Sequence, residues 1–360
     1  MATAHIEYET LLEQICLVLR AWKMPESYVQ ACARCIGMAD LLGVDSHGIS
    51  MLPTYERKWQ AGGLNMQAQP ECVQQTAVLS VWDGHAGLGH VVTEQAMRQA
   101  IDMAGQQGVG LAVIRNSHHF GAAGVYARMA LEHDMLALVL SSARKPILVP
   151  TAAAAPVLGT NPIAFAAPAQ NGDSFVLDMA TTTVAANKLR VYAYEGKSLP
   201  PGWVVDDRGQ SVSDTAQAVD WVFEQVMGGL TPLGGSLTQG SHKGYGLAML
   251  VQILSATLSG AGFGAQQTEQ GKPDDVGHFL LVVDPAFLRP AGAFEADLSA
   301  LLAFMRALTP VDAAVPVQVA GDPEVRKQTL RRNAGVPLSA ALLLELQQLA
   351  QRNAVDFLLS

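Results

Sequence analysis

The sequence predicts an α/β fold in which a mixed-sheet domain is inserted in a helical domain built from both termini. Three observations predict it. Helix and strand periods alternate through the middle of the chain, helical periods occupy both ends, and the one glycine-rich turn that could open a Rossmann unit has the wrong spacing. The expected division is 1–75 plus 290–360 for the helical domain and 76–289 for the α/β domain.

At the front, Leu11, Leu12, Ile15, Val18 and Leu19 fall at helical spacing, and Pro25 before Glu26 and Ser27 marks the start of a second helix. Cys32 and Cys35 form a C-x-x-C inside that helix. No second pair follows, so they read as ordinary thiols on a buried face rather than a redox pair or half a zinc site. "AGGLN" at 61–65 is turn chemistry, and "AVLSVWDG" at 77–84 reads as a strand ending in a turn. "HVVTEQAMRQAIDMAGQQG" then reads as a helix with Val92, Ala96, Ala100 and Met103 inward, and "VGLAVIRNS" as a strand. "AGVYARMALEHD" and "MLALVLSSA" repeat the alternation.

From about 145 to 185 the short apolar runs "PILVP", "PIAFAAPA" and "SFVLDMA" suit strands of a mixed sheet. Residues 190–240, rich in Gly, Pro, Asp and Ser, are expected to be surface loops. A helix follows at 243–260, "HFLLVVDPAFL" reads as a strand, and the last sixty or so residues return to helices that pack with the first two.

The glycine-rich turn is "GHAGLGHVV" at 84–92. A G-x-G-x-x-G starting at Gly87 requires glycine or alanine where Val92 stands, so the stretch reads as a tight turn feeding a helix.

Composition narrows the function classes. Hydrophobic residues make up 49% of the 360 and charged residues 15%. With a mean hydropathy of +0.20, this suggests surface buried between subunits. No apolar run reaches the roughly 20 residues that span a bilayer. The opening "MATAHIEYETLLEQ" is acidic and unlike a secretory signal, so a cytoplasmic location is expected. A net charge of -9, with scattered Lys and Arg, argues against a nucleic-acid partner.

Histidines carry the chemical signal. Ser-His occurs three times, at Ser46-His47, Ser117-His118 and Ser241-His242, among nine histidines. His5, His85, His90 and His133 read as hydrogen-bonded core residues. His47, His119 and His242 stand beside glycines or turn residues, where loops can bring side chains to a shared cleft. A histidine titrates near neutrality and can move one proton while a C–H bond gives up a hydride. There is no H-E-x-x-H and no G-x-S-x-G, so neither a metal site nor a serine hydrolase is expected.

The stretches "DLLGVDSHGISMLPTYERKWQAGGLN", "RNSHHFGAAGVYARMA", "PVLGTNPIAFAAP", "VLDMATTTVAANK", "LPPGWVVDDRG", "GSHKGYGLAMLVQILSATLSG" and "VAGDPE" resemble, in the same order, the motifs of the type-2 malate/L-lactate dehydrogenase family, from about residue 5 to 350. The resemblance implies a non-Rossmann NAD(P)-binding fold, NAD or NADP as cofactor, and a homodimer with its active site near the interface. It also implies a small 2-oxo or 2-hydroxy acid substrate, or a cyclic imino acid.

Carried over by position, it implies His47 at the nicotinamide end with Ser46 beside it, and His119 as the acid/base. Gly121, Ala122 and Ala123 approach the pyrophosphate at a helix N-terminus, and Thr160 and Asn161 line the cleft. Leu177, Asp178, Met179, Ala180 and Thr181 wrap the cofactor, joined by His242, Lys243 and the segment Gly321, Asp322, Pro323, Glu324. Many relatives have arginine, suited to a substrate carboxylate, where this chain has Met51. Arg144 and Lys145 are the alternative cations, Lys145 also as a catalytic charge stabiliser, and Met51 and Tyr55 are assigned to the substrate end. The Met-bearing stretch is most similar to hydroxycarboxylate dehydrogenase members, which points to broad or aromatic 2-hydroxy acids.

Overall fold

The structure is a computed structural model that describes residues 3–194, 196–266 and 274–359. The chain opens with β1 (Thr3–Ile6), α1 (Tyr8–Ala21) and α2 (Glu26–Leu41), then two single 3-10 turns, Asp45–His47 and Ile49–Met51, and α3 (Leu52–Gln60). The α/β region follows as β2 (Glu71–Gln75), β3 (Leu79–Gly87), α4 (Gly89–Gln107), β4 (Val109–Ser117), α5 (Ala123–Met129), β5 (Leu136–Ser141), β6 (Ile163–Pro168) and β7 (Ser174–Met179). The intervening segment holds α6 (Ala186–Tyr194), β8 (Val204–Val205), α7 (Thr215–Phe223) and β9 (Gly229–Leu230). Then come α8 (Ser241–Gln252), running on through a π-helical turn at Ile253–Thr257, and β10 (Val276–Val283). The chain closes with α9 (Ala293–Arg306), α10 (Asp322–Ala334), β11 (Val336–Ser339) and α11 (Ala340–Arg352).

Seven strands form one sheet in the order β2-β3-β4-β10-β5-β6-β7. β3 and β4 run parallel, joined by α4 as a parallel pair requires, and the other neighbours are antiparallel. The central strands are apolar on both faces because both are covered. Ala112, Ile114, Ala137, Val139, Leu280 and Val282 face the layer containing α4 and α5. Val113, Leu138, Leu140, Phe279 and Leu281 face Val251 and Leu254 of the α8 segment. A mixed-sheet α/β fold with no Rossmann strand order is what the sequence predicts.

The glycines of 84–92 serve protein packing. A Cβ on Gly89 would lie 2.2 Å from the His118 carbonyl oxygen, so only glycine lets α4 begin directly against the end of β4. His85 and Ala86 take positive φ as β3 bulges before Gly87.

Chain ends meet in a separate core. Leu11, Ile15 and Leu19 of α1, Ile36 of α2, Leu52 and Tyr55 of α3, and Leu346 and Leu349 of α11 pack together. β1 pairs with β11 across the same junction. Both four-residue strands were absent from the sequence expectation, since four residues carry too little alternation to register. α9 departs from the expected helical grouping: its Ser299 accepts the Gln170 amide at 2.8 Å, and Arg306 grips Asp173 beyond β6, which ties it to the outer end of the sheet.

Residues 190–240 differ from the surface loops expected. α6, α7 and the β8–β9 pair enclose a core of Leu189, Leu199, Val204, Val212, Ala218, Val222 and Leu230. Elements this short, punctuated by Gly and Pro, look like loops to any periodicity reading. "PILVP" in turn makes only isolated bridges at Leu148, to Leu158 and Leu230.

Buried Glu56 ties the two ends of the chain together. Its carboxylate accepts Arg352 Nη2 at 2.6 Å and the Asn353 side-chain amide, while Asn353 Oδ1 accepts the Trp22 indole at 2.9 Å. Glu56→Ala removes the acceptor shared by Arg352 and Asn353, leaving Asn353 Nδ2 only the Leu349 carbonyl, and is expected to lower unfolding free energy by about 1–3 kcal/mol, read from urea melts. An unchanged midpoint would show that the clamp contributes nothing.

Candidate active site

The loop that delivers His47 is built on a buried carboxylate. Asp40, near the end of α2, is 1% exposed and accepts the Ile49 amide at 2.7 Å. A Cβ on Gly48 would fall 1.9 Å from Asp40 Oδ1, so the glycine after His47 is a steric requirement. From α10, Arg331 holds the outside of the turn, donating to the Asp40 carbonyl and to the Asp45 carboxylate. Ser46 Oγ sits 2.8 Å from His47 Nδ1 and fixes the ring, which stacks on His119 with centroids 5.5 Å apart.

His119 is oriented from α3. Tyr55, fully buried and one turn beyond Met51, places its hydroxyl 2.7 Å from His119 Nδ1, and the Gly121 amide approaches the same nitrogen at 3.4 Å. Nε2 is therefore the nitrogen left for a substrate oxygen. Burial holds the His119 imidazole well below the usual histidine range, with His47, His90, His118 and His278 adding to the effect. Burial also lowers His47.

Three more histidines surround this pair. His118 Nδ1 accepts the His119 amide at 2.7 Å, which assigns the ring proton to Nε2. Nε2 lies 2.8 Å from Asp274 Oδ2, in ion-pair range but off the hydrogen-bond line. His278, from β10, lies between Ser141 Oγ at 2.9 Å and Ser117 Oγ at 3.0 Å and stacks on Phe120. His90 is buried under Gly121 and Tyr55, and both its nitrogens are without a hydrogen-bond partner among the described residues. Burial pushes His90, His118 and His278 down to about 3.

The expectation of hydrogen-bonded core histidines therefore needs correcting. His90 is buried but unpartnered, while His5 and His133 are exposed and His85 pairs at the surface with Glu71 and Asp83. The buried histidine with hydrogen-bond partners on both ring nitrogens is His278 of β10.

Other expected site residues divide sharply. Arg144 reaches the cluster through the Asp274 carboxylate, which Lys58 of α3 also engages. Lys145 does not reach it: Nζ donates to the Phe223 carbonyl at 3.2 Å, drawn to that aromatic face. Met51 packs partly buried against the core of the chain ends. Asn161 is consumed by structure, its Oδ1 accepting the Ala143 amide at 3.1 Å and its Nδ2 donating to the Ala248 carbonyl at 3.0 Å, so it anchors the strand end that carries Arg144. Thr160 lends its carbonyl to both the amide and the hydroxyl of Thr181.

The segments assigned to cofactor come together in part. Asp178 Oδ2 accepts the Gly124 amide at 2.8 Å, and a Cβ there would touch that oxygen. The first turn of α5 beyond Gly121, Ala122 and Ala123 thus already carries a carboxylate. Gly321, at φ +104°, sits against Val176, next to Leu177 of β7, where the Val176 amide donates to the Ala320 carbonyl. Pro323 opens α10 there, and Asp322 is paired with Arg306. Arg128 lies in the electrostatic reach of Asp178 and Glu324, with Nη2 buried and unpartnered among the described residues. A guanidinium with a donor to spare beside carboxylates suits a group bearing both phosphates and ribose hydroxyls, so the residues fit a nicotinamide dinucleotide. Met179 ends β7 and Ala180 follows it, while His242 and Lys243 are exposed on the first turn of α8.

Sequence reasoning missed Lys58, Asp274 and Asp40. Lys58 was within reach, since Met51, Tyr55 and Lys58 share one helical face. Nothing local marks the other two.

A non-Rossmann sheet with paired histidines beside such a dinucleotide-compatible segment defines the molecule as an NAD(P)-dependent dehydrogenase acting on the CH–OH group of 2-hydroxy acids. The family model described as malate/L-lactate dehydrogenase matches residues 6–347, and the chain belongs to that family. It is similar to malate dehydrogenase of Pyrococcus horikoshii, 34% identical over 97% of this chain and 95% of that one. It is also similar to hydroxycarboxylate dehydrogenase B of Escherichia coli, 30% identical over 94% and 92%. Among solved structures, malate dehydrogenase from Entamoeba histolytica superposes with a TM-score of 0.93 at 28% identity, covering 99% of both chains. The delta1-piperideine-2-carboxylate reductase of Pseudomonas syringae reaches 0.83 at 27%, covering 96% and 100%. The cofactor is NAD or NADP.

Asp40 gives the His47 loop a pH dependence. Burial raises its carboxyl from 3.8 to about 8, against the lowering from the Ile49 amide. The folded state therefore binds this proton more tightly than the unfolded chain does, and stability falls as pH rises between those values. Asp40→Asn keeps an acceptor for the Ile49 amide and removes the ionisation. The buried histidines move both proteins alike, so the wild-type melting temperature should fall relative to the variant's across that window; parallel curves would exonerate Asp40.

Proposed function

We propose that the protein interconverts 2-hydroxy and 2-oxo acids of broad or aromatic type in the cytoplasm, with His119 moving the proton. The observation that carries this reading is the Tyr55–His119 contact at 2.7 Å, which turns one ring nitrogen inward and leaves Nε2 for the substrate. When bound, the nicotinamide supplies or accepts the hydride. His119, neutral in the free protein, accepts the hydroxyl proton at Nε2 as the alcohol is oxidised, which requires its own ring proton on Nδ1, donated to Tyr55 Oη in place of the long 3.4 Å approach of the Gly121 amide. In the reverse direction an anionic substrate beside the ring favours the imidazolium, which returns the proton to the nascent alkoxide. Tyr55 holds the ring in place. His47, fixed by Ser46, orients substrate and nicotinamide, and Arg144 stabilises developing charge. Lys145, turned to Phe223, is left out of this scheme.

Met51 puts apolar surface where the carboxylate-binding arginine of many relatives stands, which supports larger substrates over malate. Asp178 and the 321–324 segment hold the dinucleotide. His242 and Lys243 approach from α8, and the chain-end domain, 1–75 plus 290–360 without α9, packs beside 76–289. A homodimer with its active site near the interface accords with the exposed Met249, Leu250, Ile253 and Leu258 of the α8 segment, which a partner would cover. A second reading, reduction of a cyclic imino acid, is favoured by the likeness to the piperideine-2-carboxylate reductase. A protonated imine needs no general acid.

NAD(P)H oxidation with oxaloacetate, pyruvate, phenylpyruvate, hydroxyphenylpyruvate and piperideine-2-carboxylate separates the readings, with the aromatic oxo acids expected to be preferred. His119→Ala is expected to lower turnover by about 10²–10⁴-fold with cofactor affinity little changed. Wild-type turnover in the variant, or activity confined to the imine, would overturn the assignment. Since burial depresses His119, kcat/KM for alcohol oxidation should hold level as pH falls through 6.5.

A further inference from the structure

Asp274 is 4% exposed and meets two cations. Its Oδ2 takes Lys58 Nζ, its Oδ1 takes Arg144 Nη1, and His118 Nε2 lies 2.8 Å from Oδ2. The three come from separate elements: Lys58 from α3, Arg144 from the loop after β5, and His118 from the end of β4. Within this group two positive charges face the one carboxylate of Asp274, next to rings that burial keeps neutral. Neither cation is sealed off, since the side chains of Lys58 and Arg144 are 39% and 29% exposed. Each also has donors to spare, an ammonium having three and a guanidinium five.

Position supports a ligand at this corner. Counted from Met51 at the N-cap of α3, Tyr55 and Lys58 follow at i+4 and i+7 on one face, so the helix that orients His119 through Tyr55 carries a cation one turn further on. Met51 itself is partly buried against the apolar core and offers no charge.

We propose that Lys58, together with Arg144 and held in place by Asp274, anchors the carboxylate of the substrate, so that the charge absent at Met51 is supplied from the next turns of the same helix. The inference rests on the reading of the His119 site as one for 2-oxo and 2-hydroxy acids. Asp274 fixes both cations before substrate arrives, and the carboxylate then takes their remaining donors.

Burial and then Arg144 bring the Lys58 ammonium down to about 8, with Asp274 and His118 the other groups facing it. A bound carboxylate favours the charged amine, so binding should weaken as pH rises above that value.

The test uses the full-length enzyme with NADH or NADPH. It measures KM, kcat and cofactor Kd for the preferred 2-oxo acid from pH 6 to 10, and direct binding of oxamate, an unreactive molecule that keeps the carboxylate and adjacent carbonyl common to all 2-oxo acids. In the wild type, KM and oxamate Kd are expected to rise above about pH 8. Lys58→Met is expected to raise both by about 10- to 100-fold at pH 7, the usual effect of removing one charged hydrogen-bond partner, with kcat and cofactor Kd little changed. Lys58→Arg should restore tight binding and abolish the alkaline rise. KM within twofold of wild type in Lys58→Met, or no rescue by Lys58→Arg, would make the cluster a structural ion pair and overturn the proposal. If Lys58→Met does not fold, Lys58→Gln takes its place, and KM within twofold of wild type there overturns the proposal equally. Wild-type enzyme inert towards every oxo acid would instead refute the underlying reading of the site.

Discussion

β10 enters the sheet between β4 and β5 and pairs with both, and the polar groups around His119 depend on that insertion. Without it, Ser117 and Ser141 lie on strands that do not touch, and the loop before β10 has no reason to approach His118. With it, His278 bridges the two serines and Asp274 arrives beneath His118, Lys58 and Arg144. Side chains alternate along a strand, so a slip of one residue in this register would turn His278 to the opposite face, the one against which Val251 and Leu254 pack. The register is held by the apolar alternation of β10 itself, with Phe279 and Leu281 on one side and Leu280 and Val282 on the other.

The site divides its electrostatics between two neighbouring places. Histidines gather where burial keeps them neutral, and the charges gather at Asp274, where a buried carboxylate is compensated by two cations. On the proposed reading, in which His119 is the base, a neutral base beside two cations that share one carboxylate is poised for an anion. The anion's arrival would raise the affinity of the base for a proton, and binding and proton transfer would thereby be coupled. The buried carboxylate of Asp40 plays a different part: it sacrifices stability at neutral pH to hold the turn that presents His47.

Local pattern made much of this legible. Strand β4 coincides with "VGLAVIRNS", the helix after Gly89 follows the spacing of Val92, Ala96, Ala100 and Met103, and Cys32 and Cys35 are the buried free thiols their helical setting implies. The failed dinucleotide spacing at Gly87 correctly set aside a Rossmann unit. What misled was residue type taken as role. Asn161 sits in a polar motif yet spends its side chain on Ala143 and Ala248, and Lys145 stands beside Arg144 yet points to Phe223. Adjacent residues diverge in direction, which composition does not record.

By itself the sequence determined the α/β class, the helical character of much of both ends and the family, and it singled out His47 and His119, which the fold stacks together, because periodicity and motif order are local properties. Only the tertiary structure decided that Gly48 is there for Asp40, that Tyr55 orients His119, and that Lys58 and Arg144 share Asp274. Those contacts join α3, the ends of β4 and β5 and the segment before β10, and the central pairing of β10 sets which of their side chains can meet.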